Sequence, residues 1–153
     1  MMPVGPESYI TDEIKGSIGV PAQPVATEIE KGAIKRFAEA IEDPNPLYQD
    51  EAYARQSRYG CIIAPPTFLR SVPTGRELFP FNLPLKRVLD GGSEWEYFEP
   101  VRPGDRIQAV STLRDAIERV GRLGRTLFLT FEITYRNQRG LVAATQKNTL
   151  IYY

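Results

Sequence analysis

Histidine is absent from this chain of 153 residues, and cysteine occurs once, at Cys61. The first absence removes the one side chain whose ordinary pKa lies near neutral pH, and with it the commonest general base. Together the two absences exclude a zinc site of the usual nitrogen and sulfur ligands, so no metal is expected. A single thiol cannot close an internal disulfide, which makes a reducing cytoplasm the natural setting. No run of 18 or more apolar residues occurs, so no membrane-spanning helix is expected. Met1 to Ser8 lack the basic and apolar regions of a signal peptide. Excess charge is lacking too: Lys plus Arg and Asp plus Glu both number 19. That balance calls for neither nucleic acid nor an anionic membrane.

What remains reads as one domain over residues 1–153, with 42% hydrophobic and 25% charged residues. A chain of this length buries roughly two thirds of its unfolded surface, enough for a core without staples. Residues 1–16 read as an arm, and 17–26, punctuated by prolines, as an edge strand or lead-in. Thr27-Glu28-Ile29-Glu30 fits a capping box and predicts a helix to about Glu42. Its apolar stripe is Ile34, Phe37, Ala38 and Ile41. Pro44 stops that helix, because a residue before proline avoids the α region. Asp50 can cap a second short helix to about Arg55. A third helical candidate starts at Ala64-Pro65-Pro66-Thr67 and is limited by Pro73 to about two turns.

Beyond a loop over 75–90 the pattern becomes β. Strands are predicted over 92–98, 106–119, 126–135 and 141–153, with turns at Pro103-Gly104-Asp105 and at Asn137 to Gly140. Gly121 and Gly124 frame the long hairpin. Ile107, Ala109, Leu113 and Ile117 fall on one face, as do Leu127, Leu129, Phe131, Ile133 and Tyr135. Long antiparallel strands after early helices suit an α+β sheet-and-helix domain. Cys61, beside Ile62 and Ile63, reads as a small buried core residue. Gly91-Gly92-Ser93 lacks the Gly-Lys-Ser/Thr of a phosphate loop. It reads instead as a place where the chain passes close to a helix or ligand. Arg119, Arg122 and Arg125 form either a solvated hairpin end or a grip for coenzyme A phosphates.

The segment Asp43-Pro44-Asn45-Pro46-Leu47-Tyr48 resembles the active-site motif of MaoC-like (R)-specific enoyl-CoA hydratases and dehydratases, written Asp-x-Asn-Pro-x-His. The resemblance continues through Ala52-Tyr53-Ala54, Ile62-Ile63-Ala64-Pro65-Pro66-Thr67-Phe68, Leu89 to Phe98 and Pro100 to Asp105, covering roughly residues 14–152. It implies a hot-dog fold of the N-terminal type, a long curved antiparallel sheet wrapped around a short central helix. In catalytic members, the resemblance implies, Asp and His act together on the water added to an enoyl thioester. A backbone N–H at the central helix, usually from a His-Gly pair, stabilises the thioester oxygen.

Position by position, two of these parts are missing. Tyr48 occupies the histidine position, and its reference pKa near 10 makes it a poor base at neutral pH. Pro65-Pro66 aligns with the His-Gly pair, and proline has no N–H to donate. The candidate catalytic residues are therefore Asp43 and Tyr48. Asp43 is a carboxylate or, more simply, a turn residue; Tyr48 is a neutral donor or a packed aromatic. Candidate substrate-binding residues are Asn45, Pro65, Pro66, Thr67, Gly91, Gly92 and Ser93, with no cofactor beyond coenzyme A as part of the substrate. The leading expectation is an accessory, acyl-accommodating subunit of a heteromeric (R)-specific enoyl-CoA hydratase, whose partner hot-dog subunit supplies Asp and His. A self-sufficient homodimeric hydratase using Asp43 with Tyr48 and a non-enzymatic acyl-CoA-binding module stand as alternatives.

Overall fold

The computed structural model describes residues 8–79, 81–122 and 124–153. Five antiparallel strands form one sheet: β1 (Val25–Glu28), β2 (Val88–Tyr97), β3 (Arg106–Gly121), β4 (Gly124–Arg136) and β5 (Val142–Tyr152). Their spatial order is β1-β3-β4-β5-β2, which leaves β1 and β2 at the edges. Three α-helices precede β2: α1 (Asp12–Ser17), α2 (Lys31–Ala40) and α3 (Glu51–Gln56). This is the hot-dog arrangement that the resemblance implies, with the segment Pro66–Ser71 in the place of the central helix.

The β4 side chains account for much of the core. Leu127, Leu129, Phe131, Ile133 and Tyr135 are all buried, as their period of two requires. They join Ile34, Ala38, Phe68, Leu69 and Val72 in one apolar cluster. Each fully buried large aliphatic contributes about 1.5–3 kcal/mol of transfer free energy. On β3 the same alternation buries Ile107, Ala109 and Leu113. The register then shifts between Leu113 and Asp115. The extra residue reverses the parity, so Ile117 is 42% exposed and Ala116 packs toward the core instead.

The helices depart from expectation at their starts. Thr27 does not cap α2; it lies in β1, paired with Ile107. The Ile29 N–H donates to the Asp105 carbonyl, so sheet pairing takes the amide that a cap would have served. Helix α2 begins at Lys31, and Ile41, at its C-terminal cap, is exposed. The cap of α3 is as expected: the Asp50 side chain accepts from the Tyr53 N–H at 3.0 Å. Residues 1–7 of the expected arm lie outside the described residues. Its remainder is docked, for Thr11 caps α1 and Ile14 is fully buried.

The central helix is a 3-10 turn of six residues, bounded by Pro65-Pro66 and Pro73. The Phe68 N–H donates to the Pro65 carbonyl at 2.9 Å, and the Phe68 ring meets Phe37 of α2 edge-on at 5.5 Å. Cys61 is half-buried rather than part of the core, which takes Ile62 and Ile63 instead. Among the described residues, no helix is long and apolar enough to cross a membrane.

The parity reversal on β3 has a measurable consequence. Leu129→Ala is expected to lower the unfolding free energy by about 2–5 kcal/mol, and Ile117→Ala to change it by less than about 0.5 kcal/mol. Urea titrations of the two variants check this. A loss at Ile117 comparable with that at Leu129 would mean that the strand keeps unbroken alternation.

Candidate functional site

Pro44 organises the motif that follows α2. Asp43 cannot stay helical before a proline, so the chain leaves through Glu42 in the left-handed region (φ 55°). That conformation costs a non-glycine residue about 1 kcal/mol. The Asp43 N–H closes the helix end on the Ala38 carbonyl at 2.9 Å. Asp43 Oδ1 then accepts from the Asn45 N–H (3.1 Å), and Asn45 Oδ1 from the Leu47 N–H (3.0 Å). These two successive side-chain turns start the 3-10 turn Pro46–Tyr48 and carry Tyr48 inward, where it is 8% exposed.

Tyr48 and Asn45 border a cavity of about 450 Å³ whose other walls include Pro65, Pro66, Tyr97 and Phe98. The structure thus brings together the two motif segments that the sequence singled out. Asp43 does not line this cavity. Burial, followed by the charge of Asp43, raises the Tyr48 pKa above its ordinary value, and the neighbouring Asn45 side chain offsets part of that. The phenol therefore stays neutral at physiological pH and offers an O–H donor.

The backbone of residues 63–66 beside it offers no donor. Of residues 63–66, two are prolines, the Ile63 N–H donates to the Leu47 carbonyl at 3.2 Å, and the Ala64 N–H to the Val101 carbonyl at 2.8 Å. No amide of this segment is left for an oxyanion.

Polar lining residues that were not singled out from the sequence are Arg58, Tyr59 and Glu99. Arg58 donates to the Tyr59 hydroxyl at 2.6 Å, and its guanidinium lies 4.8 Å from the centroid of that ring. Glu99 is the one carboxylate among the lining residues. Their only sequence signal was proximity to Gly60 and Pro100, which turn the chain back toward the motif. The cavity thus combines aromatic walls, a neutral phenol donor, a guanidinium and one carboxylate.

The remaining candidates lie elsewhere. Thr67 is exposed and does not line the cavity. Gly91, Gly92 and Ser93 sit at a register shift of β2 against β5. A side chain at Gly91 would meet the Thr149 carbonyl oxygen at 3.0 Å, so its close neighbour is the next strand. Gly92 donates its N–H to Asp90 Oδ1 at 2.9 Å, the main reason the Asp90 pKa is lowered. Arg119 lies over the Phe128 ring at 5.2 Å, and Arg125 over Tyr9 at 5.3 Å with Glu118 at 3.5 Å. Those two arginines are engaged in holding the hairpin and the N-terminal segment.

Comparison with known proteins agrees with this fold. The family described as "FAS1-like, dehydratase domain region" matches residues 16–146. A UPF0336 protein of Thermobifida fusca is 37% identical over 97 residues, 60% of this chain and 64% of the relative. The match therefore spans less than two thirds of that relative's length. A UPF0336 protein of Saccharopolyspora erythraea is 33% identical over 131 residues, covering 82% and 81% of the two chains. A probable enoyl-CoA hydratase alpha subunit of Thermomonospora curvata is 29% identical over 138 residues, 78% of this chain and 43% of the relative.

Among solved structures, the MaoC-like dehydratase of Rhodospirillum rubrum superposes with TM-score 0.71 at 28% identity, over 89% of this chain and 92% of the other. The ChsH1-ChsH2 complex of Mycobacterium tuberculosis shares the fold, with TM-score 0.74 at 22% identity over 88% and 89%. So does its HadBC complex, a 3R-hydroxyacyl-ACP dehydratase, with TM-score 0.75 at 19% identity over 88% and 96%.

Without an imidazole to titrate, stability is expected to be level between pH 6 and 9. Burial raises the pKa of Tyr48, Tyr97, Tyr135 and Tyr152 above the model-compound value of 10.0. The unfolded chain therefore loses these protons first, and stability falls as pH rises beyond about 10. Thermal melts across pH 6–11 check this; a melting temperature that dropped between pH 6 and 8 would contradict it.

Proposed function

Because this chain belongs to the FAS1-like dehydratase-region family and has the MaoC-like hot-dog fold, we propose that it is the accessory, acyl-accommodating subunit of a heteromeric (R)-specific enoyl-CoA hydratase. The observation that carries this reading is the hydrogen-bond inventory of residues 63–66. Two N–H groups are spent on Leu47 and Val101 and two positions are proline, so the cavity has no backbone donor from that segment. Losing one such donor typically costs about 100- to 1000-fold in rate. Tyr48, held neutral, replaces an imidazole that would exchange protons near pH 7. These are independent deficits in one site, and both are remedied if a second hot-dog subunit supplies Asp, His and an amide donor.

In that complex the partner's carboxylate and imidazole add water across the enoyl thioester. This chain contributes apolar volume and the Tyr48 hydroxyl. Coenzyme A enters as part of the substrate, and Arg58 at the cavity wall suits a phosphate or carbonyl of that group. A pairing surface is available. Strand β2 is an unpaired edge of ten residues, and Val88, Leu89, Tyr97 and the following Phe98 are exposed along it. Edges of this kind are normally covered, and another hot-dog sheet continues such a strand. A second copy of this chain is the alternative occupant. The lone cysteine, which cannot form an internal disulfide, supports a reducing, cytoplasmic setting for this chemistry.

The purified chain alone is expected to hydrate crotonyl-CoA and longer enoyl-CoAs no faster than buffer. Addition of a hot-dog protein bearing Asp-x-Asn-Pro-x-His is expected to bring turnover. In that complex Asp43→Asn, a change in a turn residue, is expected to leave kcat/KM within about threefold. Robust turnover by the single chain, abolished by Asp43→Asn or by Glu99→Gln, would overturn the accessory role.

A further inference from the structure

At the other end of the Pro66–Ser71 turn lies a second cavity, of about 270 Å³. Its walls include Tyr135, Gln146 and Asn148 of the sheet, Arg70 and Arg76, and the carboxylates of Asp90 and Glu77. The sheet face here is polar. Asn148 is 1% exposed and Gln146 is buried. Their amide nitrogens are spent on β2: Gln146 Nε2 donates to Ser93 Oγ, and Asn148 Nδ2 to Asp90 Oδ1, the Gly92 carbonyl and Ser93 Oγ, all near 3.0 Å. The Tyr135 hydroxyl donates to Gln146 Oε1 at 2.8 Å. The Asn148 oxygen is thereby turned toward Arg76, whose Nη1 donates to it.

The two guanidiniums differ. Arg70 pairs with the Asp90 carboxylate at 3.2 Å. Half-buried Arg76 has only neutral acceptors among the described residues, Asn148 Oδ1 and Thr74 Oγ1 (3.2 Å). Glu77 stands exposed at the rim and forms no ion pair with Arg76. The Arg76 Nη2 donors have no acceptor among the described residues. Unused N–H groups of a guanidinium beside a cavity match a carboxylate, a charge-assisted acceptor.

An aromatic stack connects a wall residue of each cavity. Tyr97 lines the first and Tyr135 the second. Trp95 stacks on both, at 5.8 Å and 2° from Tyr97 and at 5.6 Å and 22° from Tyr135. The turn between the cavities has six residues, about 12 Å at a 3-10 rise, a length comparable with an eight-carbon chain.

We propose that the second cavity receives a carboxylate at the far end of the acyl chain, so that the thioesters held by this subunit include ω-carboxyacyl groups. The proposal rests on the reading that this chain accommodates acyl-CoA. The test is calorimetry on the full-length protein with octanoyl-CoA, with suberyl-CoA (the eight-carbon thioester ending in a carboxylate) and with free suberate. Suberyl-CoA is expected to bind about tenfold more tightly than octanoyl-CoA. In Arg76→Gln the two thioesters are expected to come within about twofold of each other.

Octanoyl-CoA binding as tightly as suberyl-CoA in the wild-type protein overturns the proposal and leaves acyl accommodation standing. That comparison needs no variant. Binding of neither thioester overturns both readings. Free suberate matching suberyl-CoA would assign the cavity to a free dicarboxylate and overturn its assignment to an acyl terminus, as would an Arg76→Gln protein that keeps the preference.

Discussion

The backbone from Ile63 to Pro66 is held by its only two amide hydrogens, one on Leu47 and one on Val101. This arrangement shapes everything around the first cavity. The bond to Leu47 fastens the central turn to the motif that carries Tyr48. The bond to Val101 fastens it to the chain leaving β2. A segment so tied, and ending in prolines whose nitrogens have no hydrogen, has no amide donor left for the cavity. Pro65-Pro66 at one end and Pro73 at the other bound the central turn at six residues, and the second cavity lies at the Pro73 end.

Beneath that turn the sheet does something unusual for a core face: it buries two amides and a phenol. Such groups are tolerated only when fully hydrogen-bonded. Among the described residues, no buried side-chain nitrogen or oxygen lacks a partner. The irregular stretch Asp90 to Ser93 in β2 is what satisfies them, through the Gly92 carbonyl and the Ser93 hydroxyl. A register shift at an edge strand therefore supports a polar pocket one strand further in.

Much of the fold was legible because its signals are local. The alternation of Leu127 to Tyr135 needs only a strand with one buried face. Pro103-Gly104-Asp105 turns through a glycine at φ 87°, and Asn137 closes its turn with its own side chain. The errors share a cause as well. Thr27 has the spacing of a cap, yet β3 offered its backbone a strand partner from eighty residues away. Ile117 continues a visible alternation that an extra residue reverses. Gly91 to Ser93, candidates alongside Pro65 and Pro66, do not line the same cavity; Gly92 and Ser93 accept hydrogen bonds from Gln146 and Asn148. Arg58, Glu99 and Arg76 carry no local signature; each acquires meaning only from what it faces.

The amino-acid order alone settled the chemistry that is absent. A chain without imidazole, with tyrosine at the sixth motif position and proline at the head of its central turn, lacks those groups in any conformation, because they are covalent facts. Which side chains share a cavity is a matter of strand register and of where distant hydrogen bonds pull the loops. Tertiary structure decided that Tyr48 meets Pro66 across one cavity. It likewise placed Arg76 against buried Asn148, seventy-two residues along the chain, with no ion pair to Arg76 among the described residues. Pairings of that range are set by packing the whole sheet, which no short stretch of sequence encodes.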